Sequence, residues 1–115
     1  MTASPKRIYE YRRYTAMPGK LPELRHRLEN VASRMWNKHG IRNIAFWETV
    51  VGGDSNAIHY ILEWDDMAHR QRAWEAFTTD PEWLAARAAT ENNGPLVEVI
   101  HNEFWRSTSV PQVPT

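Results

Sequence analysis

The first apolar segment of the chain, residues 7–15, alternates aromatic side chains with charged ones. Tyr9 and Tyr11 favour a pleated strand, and Glu10 and Arg12 follow them in turn. Successive side chains of a strand point to opposite faces, so one face here is apolar and the other ionic. Buried charges need partners, so the two faces must meet different surroundings. The segment therefore predicts a strand in a sheet with an apolar side and a polar side.

Length and charge narrow the class of protein. The chain has 115 residues, which is enough for one domain, and its 14 basic and 14 acidic residues cancel. A neutral chain without a basic stripe argues against nucleic acid as a partner and offers little resistance to self-association. No cysteine is present, which excludes disulfides and thiolate sites. With no long apolar run and no signal-like start, the sequence predicts a cytoplasmic protein that does not associate with a membrane.

A helix follows the turn at Pro18 and Gly19. Apolar residues recur at steps of three and four, which is the spacing of one helix face: Leu21, Leu24, Leu28, Val31 and Met35. Arg27 is among the charged residues expected on the outer face, and Gly40 is expected to end the helix in a left-handed conformation.

The remaining segments are predicted by the same rules. Two strands are predicted over residues 44–51 and 57–64, joined by the turn residues 52–56, and a last strand is predicted over 96–105. A helix capped by Asp65 or Asp66 is predicted over residues 67–77, and a short helix is predicted to begin at Asp80. The order β-α-β-β-α-β predicts an α+β, ferredoxin-like fold with both helices on one sheet face. We expect one domain over residues 7–106, a flexible start over 1–6 and a tail or arm over 107–115.

The two faces of the sheet can be listed from the alternation of the strands. The helix-facing set is predicted as Tyr9, Tyr11, Tyr60, Leu62, Trp64, Ile100 and Phe104. The opposite set is predicted as Ile8, Glu10, Arg12, Tyr14, His59, Ile61, Glu63, Val99, His101, Glu103 and Trp105. Because this second set mixes large apolar groups with charges of both signs, we expect it to form a homodimer interface with internal ion pairs. For the second strand the alternation does not decide which side chains face the helices, since the neighbours Phe46 and Trp47 are both large.

Three segments in this order resemble the NIPSNAP family. They are residues 8–14 with the turn at 18–20, residues 59–65, and the run Asp80, Pro81, Glu82 and Trp83. The resemblance covers all but the first residues and the tail; Tyr11 and Arg13 depart from the family, which usually has Leu and a small residue there. It implies a dimeric α+β barrel in which two sheets face each other. Other members of that barrel superfamily include cofactor-free monooxygenases, haem-degrading enzymes and small isomerases, which share a fold and not necessarily a function.

Candidate acid–base residues lie on the predicted polar face. They are His59, His101, Glu10, Arg12, Glu63 and Glu103. One interpretation is an ion-pair ladder in which Arg12 pairs with Glu63 or Glu103 and a histidine pairs with Glu10; the other is a carboxylate that orients one histidine as a base. His59 and Glu63 stand four residues apart on a strand, about 13 Å, so they cannot share a metal ion, and no metal site is predicted.

A second candidate site lies between the sheet and the helices. Aromatic and polar residues that could line it are Tyr9, Tyr11, Trp36, His39, Trp47, Tyr60 and Trp74. Such a cavity suits a planar aromatic or polycyclic ligand, whereas the plain alternative is ordinary core packing. Two functions remain open. One is a small-molecule binder or enzyme without a bound cofactor, acting as a monooxygenase, isomerase or lyase; the other is a non-catalytic dimeric interaction module.

Overall fold

A computed structural model describes residues 7–108 and confirms the predicted α+β order. The strands are β1 (Ile8–Ala16), β2 (Arg42–Glu48), β3 (Ala57–Trp64) and β4 (Val97–Trp105). The helical segments are α1 (Leu21–His26), a π-helical segment (Arg27–Ala32), α2 (Ser33–Lys38), α3 (Met67–Thr78) and α4 (Pro81–Ala89). The start predicted for residues 1–6 and most of the tail predicted for 107–115 lie outside the described residues.

One antiparallel sheet runs in the order β2-β3-β1-β4, as the ferredoxin-like fold requires. Its core face packs against the helices. Leu24, Leu28, Met35 and Trp36 from the helices and Ile58, Tyr60, Leu62 and Trp64 from β3 are almost completely buried there. Burial of each such side chain contributes roughly 1.5–3 kcal/mol, so this layer is the main source of stability. None of the helices in the described part of the chain is long and apolar enough to cross a bilayer.

The faces predicted for β1 were wrong. Its register places Glu10 opposite Leu62 and Arg12 opposite Tyr60, so both charged residues point toward the helices. Glu10 is completely buried and Arg12 is 6% exposed. Side chains of β3 and β4 lie on the faces predicted for them, which leaves Tyr9 and Tyr11 on the uncovered side, here called the open face.

The open question about β2 is settled by its pairing with β3. Trp47 lies opposite His59 and therefore belongs to the open face. Phe46 lies opposite Tyr60 and packs in the core, with ring centroids 5.5 Å from Tyr60 and 6.0 Å from Trp36.

The helix predicted after Gly19 is continuous from α1 to α2, but the π-helical segment in its middle was not indicated by the sequence pattern. The amide of Ser33 donates to the carbonyl of Leu28, five residues earlier, where an α-helix would bond four residues earlier. Arg27 is the first residue of this segment; it was predicted on the outer face but is only 4% exposed. It lies three residues after the buried Leu24 and therefore on the inner side of the helix, so that prediction was wrong.

Several local predictions are confirmed. The carboxylate of Asp80 accepts from the amide of Glu82 at 2.8 Å and caps α4, and Asp66 accepts from the amide of His69 at 2.7 Å and caps α3. Gly40 ends α2 with φ of 70°, a left-handed conformation that favours glycine.

Candidate functional site

A cavity of about 200 Å³ lies between the core face of the sheet and the helices, and we call it the helix-side cavity. Its aromatic walls are Tyr14, Trp36, Trp74, Phe77 and Trp83. Its charged lining consists of Arg12, Arg27 and Arg87, and no carboxylate of the described chain lines it. The cavity therefore combines flat apolar walls with positively charged groups.

Glu10 anchors the charged network beside this cavity. Its carboxylate accepts from Arg12 Nη1 at 2.7 Å, from Arg70 Nε at 3.2 Å and Nη2 at 3.1 Å, from Asn102 Nδ2 at 3.0 Å and from Trp64 Nε1 at 3.1 Å. Burial alone would raise the pKa of this carboxyl, but the bonds from Arg70 and the charge of Arg12 outweigh burial and hold the pKa below its usual value. Glu10 is thus an ionised, buried anchor for two guanidiniums.

Arg12 is held on every side. Its Nε donates to the hydroxyl of Tyr60 at 2.9 Å and its Nη2 to the hydroxyl of Tyr14 at 3.2 Å. Burial, and next the phenol of Tyr14, raise the pKa of Tyr60, which keeps its hydroxyl neutral beside the guanidinium. These bonds fix the position of Arg12 at the cavity wall.

Trp74 lies against both guanidiniums of the network. The Cζ atom of Arg12 is 4.5 Å from the centroid of the indole, and that of Arg70 is 5.2 Å away. Cation–π contacts of this kind contribute about 0.5–2 kcal/mol. They hold the Trp74 ring in place as one wall of the cavity.

Arg27 and Arg87 complete the charged lining from the helices. Arg27 Nη1 donates to Thr90 Oγ1 and to Glu91 Oε2, both at 3.2 Å. Arg87 approaches the other oxygen of Glu91 at 4.0 Å and its side chain is 53% exposed. The carboxylate of Glu91 is therefore shared by two guanidiniums, as the carboxylate of Glu10 is.

On the open face, His59 lies between two hydroxyl groups. Its Nδ1 is 2.6 Å from the hydroxyl of Tyr11, and its Nε2 is 2.6 Å from the hydroxyl of Thr49. Tyr11 also stacks on Trp105, with centroids 5.1 Å apart and planes 3° from parallel. The imidazole is held by neutral groups, and no carboxylate of the described chain orients it.

His101 does have a carboxylate partner. Its Nε2 lies 2.6 Å from Glu103 Oε2, because side chains two residues apart share a strand face and can span the gap between their backbones. Trp105 Nε1 donates to the other oxygen of Glu103 at 3.0 Å. The bond from His101, and next that from Trp105, lower the pKa of Glu103. This pair has the composition of the predicted acid–base pair, but it is exposed and lies on the sheet face opposite to the cavity.

The predicted ion-pair ladder was wrong because Arg12 lies on the other face. Glu63 binds Arg42 Nε at 2.8 Å and Arg7 Nη1 at 3.3 Å instead. Within the described residues, no three histidine, aspartate or glutamate side chains gather as a metal-binding group.

The structure divides the predicted site residues into two sets. Of the acid–base candidates, Glu10 and Arg12 lie beside the cavity, whereas the open face carries His59, His101, Glu63 and Glu103. Of the ligand-binding candidates, Trp36 and Trp74 line the cavity and Tyr60 lies behind Arg12. The open face carries Tyr9, Tyr11 and Trp47. His39 lies at the end of α2, with Nε2 2.7 Å from Asp80 Oδ2.

Sequence reasoning missed the cavity residues Arg27, Trp83 and Arg87. It also missed Arg70 and Asn102, which bind Glu10 beside the cavity. For Trp83 a signal was present, since Asp80 caps α4 and places Trp83 in its first turn. For Arg70 and Asn102 there was none, because they reach Glu10 from segments 60 and 92 residues away.

Comparison with solved structures identifies the fold. An uncharacterized NIPSNAP-like domain protein from Burkholderia xenovorans is similar with a TM-score of 0.80 and 21% identity, over 96% of this chain and 94% of that chain. A NIPSNAP family protein from Agrobacterium tumefaciens has a TM-score of 0.78 and 17% identity, over 90% and 94% of the two chains. At these identities the likeness concerns the fold alone.

Sequence comparisons identify the family. The mouse protein NipSnap homolog 3B is 31% identical over 76 residues, which are 66% of this chain and 30% of that protein, so the chain matches less than a third of its relative. The NIPSNAP family model matches residues 9–112, which is nearly the whole sequence. This chain therefore belongs to the NIPSNAP family.

Proposed function

We propose that the protein is a homodimer in which each subunit binds a small, ring-containing organic molecule in the helix-side cavity, without a bound cofactor. The observation that carries this proposal is the cavity itself: about 200 Å³ remain open among large aromatic side chains that could have closed on each other. The half-exposed Ile100 and Arg87 leave this cavity open to solvent. Proteins bind small molecules in concave, mostly apolar clefts with a few polar groups, and this cavity has that composition.

The walls of the cavity favour a flat ligand of limited size. Trp36, Trp74 and Trp83 offer ring faces, and Trp74 is already fixed by two guanidiniums. A cavity of roughly 150 Å³ holds benzene, so about 200 Å³ favours one ring with a small substituent over a polycyclic molecule.

The groups at the cavity support binding better than proton transfer. Its titratable lining, among the described residues, consists of arginines and Tyr14. Arginine stays protonated and cannot act as a base near neutral pH. His59 and His101 lie on the opposite face of the sheet, His39 is bonded to Asp80 at the end of α2, and no histidine of the described chain lines the cavity. We therefore favour ligand binding over a monooxygenase, isomerase or lyase reaction.

Dimerisation through the open face is the second part of the proposal. This face carries large apolar side chains that are about half exposed, namely Ile44 (50%), Trp47 (48%), Val99 (51%) and Trp105 (44%). They alternate with ionic and hydrogen-bonded groups such as Glu63 and His101, a mixture that suits a subunit interface better than solvent. A second copy of the chain is the occupant favoured by the barrel that the family fold implies and by the zero net charge.

Ligand binding can be tested by titrating the protein with single-ring probes such as toluene, indole and benzoate, using tryptophan fluorescence and calorimetry. Thr78 lines the cavity and is partly buried, so Thr78→Phe should fill the space and abolish binding. Thr79→Phe adds the same ring at the exposed neighbouring residue and should leave binding intact. The proposal fails if no probe binds, or if both variants bind as the unchanged protein does.

The alternative, a non-catalytic dimeric interaction module, is favoured by the same half-exposed residues of the open face. It predicts a dimer that binds none of the ring probes. Sedimentation or light scattering together with the titration therefore separates the two functions.

A further inference from the structure

We infer that the ligand of the helix-side cavity is an organic anion, specifically a single-ring carboxylate. This inference rests on the proposed function and adds the charge of the ligand to it. It starts from the lining, in which Arg12, Arg27 and Arg87 contribute three guanidiniums and the described residues contribute no carboxylate.

The counter-ions behind the lining do not neutralise it. Glu10 faces both Arg12 and Arg70, and Glu91 faces both Arg27 and Arg87. Four guanidiniums thus share two carboxylates; three of the four line the cavity, and Arg70 lies behind them at Glu10. An anion that enters the cavity gains from this excess of positive charge, more at the buried Arg27 than at the half-exposed Arg87, which water screens.

The arginines also retain hydrogen-bonding capacity. Arg27 makes both of its contacts, to Thr90 and Glu91, through Nη1, although a guanidinium carries five N–H donors. Arg87 has a long, half-exposed side chain whose distance to Glu91 is 4.0 Å. A carboxylate matches the planar fork of a guanidinium, which makes it the anion best suited to this lining.

A third observation is an unpaired donor in the wall. The indole Nε1 of Trp36 is buried and has no hydrogen-bond partner among the described residues, and Trp36 is one of the cavity walls. Buried N–H groups are nearly always paired, so an unpaired one points to an acceptor supplied from outside the chain. A carboxylate oxygen that reaches this nitrogen would satisfy it.

A π-helical segment lies beside the buried arginine. Arg27 is the first residue of that segment and is only 4% exposed, and the segment also contributes Leu28 and Ala32 to the lining. Segments of this kind occur frequently at functional sites. The wall that carries the buried guanidinium is therefore also the irregular part of the helix.

The test compares benzoate with benzamide, which has nearly the same shape without the charge, by calorimetry and tryptophan fluorescence at neutral pH and low salt. We expect benzoate to bind at least about tenfold more tightly than benzamide, a difference of about 1.4 kcal/mol. The preference should fall toward unity in Arg87→Gln and in Arg27→Gln, and Arg27→Lys should restore part of it.

Arg34→Gln is the matched control. Arg34 is an exposed arginine of α2 that binds Glu82 at 2.7 Å and does not line the cavity, so its loss should leave the preference unchanged. If Arg27→Gln does not fold, as circular dichroism would reveal, the exposed Arg87 still provides the test.

Each outcome has a distinct meaning. Equal binding of benzoate and benzamide would overturn the inference about charge and leave the proposed binding of ring compounds standing. A preference for benzoate that survives Arg87→Gln, or that disappears equally in Arg34→Gln, would also overturn it. In either case the positive charge that selects the anion would not be that of the cavity arginines. If neither probe nor any neutral ring binds, the proposed function fails and this inference fails with it.

Discussion

Glu10 and Arg12 stand two residues apart on β1 and form a buried ion pair, with Arg12 Nη1 2.7 Å from Glu10 Oε2. The pair lies on the core face of the sheet, beside the helix-side cavity. Its burial is possible because Arg70, Asn102 and Trp64 supply further hydrogen bonds to the same carboxylate. The charged residues of the first strand therefore belong to the interior of the subunit.

Removing the charge of Glu10 should destabilise the fold strongly. In Glu10→Gln, the buried Arg12 and the partly buried Arg70 lose their only shared counter-ion among the described residues, and breaking a buried pair in this way costs roughly 3–5 kcal/mol. Urea denaturation measures the loss. Glu98→Gln changes an exposed glutamate of β4 and should alter the free energy of unfolding by less than about 0.5 kcal/mol. Equal effects of the two variants would contradict the buried network.

The stability of the protein should fall in acid. The pKa of Glu10 lies below its ordinary value of 4.5 in the folded state, so the folded carboxyl holds its proton less tightly than the unfolded one. The stabilisation is therefore present above pH 4.5 and is lost as the pH falls through the lowered pKa. Asp80 acts in the same direction, because hydrogen bonds from Lys38, and next from His39, lower its pKa from 3.8.

The urea midpoint at pH 5.5 and at pH 3 measures this effect. We expect a marked decrease for the unchanged protein and a smaller decrease for a protein with Glu10→Gln, which has no carboxyl to titrate there. A decrease of the same size in both would show that Glu10 does not contribute.

The cap of α4 should matter for both stability and ligand binding. Asp80→Ala removes the bond to the amide of Glu82, and loss of such a cap costs about 0.5–2 kcal/mol. Because α4 carries the cavity residues Trp83 and Arg87, we also expect weaker binding of ring probes. Thermal unfolding and the fluorescence titration check the two effects, with Asp65→Ala, an exposed aspartate that caps no helix, as the control. Unchanged stability and binding in Asp80→Ala would contradict this role.

The open face should control assembly and not ligand affinity. Val99→Glu places a charge among the half-exposed apolar residues of this face and should raise the dimer dissociation constant at least about tenfold. Leu84→Glu is the control, since Leu84 has a similar exposure of 46% on α4. His59→Ala and His101→Ala should likewise weaken the dimer while the affinity for ring probes changes less than about twofold. A monomeric unchanged protein in light scattering, or loss of probe binding in both histidine variants, would contradict the division of roles.

Much of the fold was predictable because its signals are local. The apolar spacing of α1 and α2, the cap at Asp80 and the left-handed Gly40 each depend on neighbouring residues. The faces of β1 were not predictable in this way. Two tyrosines outweigh a glutamate in any local hydrophobic count, yet Glu10 is buried because its partners arrive from α3, β3 and β4.

The candidate site was predictable only in part for the same reason. Trp36 and Trp74 could be identified as aromatic residues of the helix side, and both line the cavity. Arg27 could not, because an arginine beside an apolar stripe is normally exposed, and its partners Thr90 and Glu91 lie 63 and 64 residues away in the sequence. The charge of the cavity thus depends on contacts between distant segments that only the structure reveals.

The central claim is that the helix-side cavity is the ligand site, and the indole N–H signals of the six tryptophans test it most directly. In a ¹H–¹⁵N spectrum titrated with benzoate, we expect the signals of Trp36, Trp74 and Trp83 to shift, because these residues line the cavity. The signals of Trp47 and Trp105 on the open face should stay in place. Shifts confined to Trp47 and Trp105, or no shifts at all, would contradict the claim.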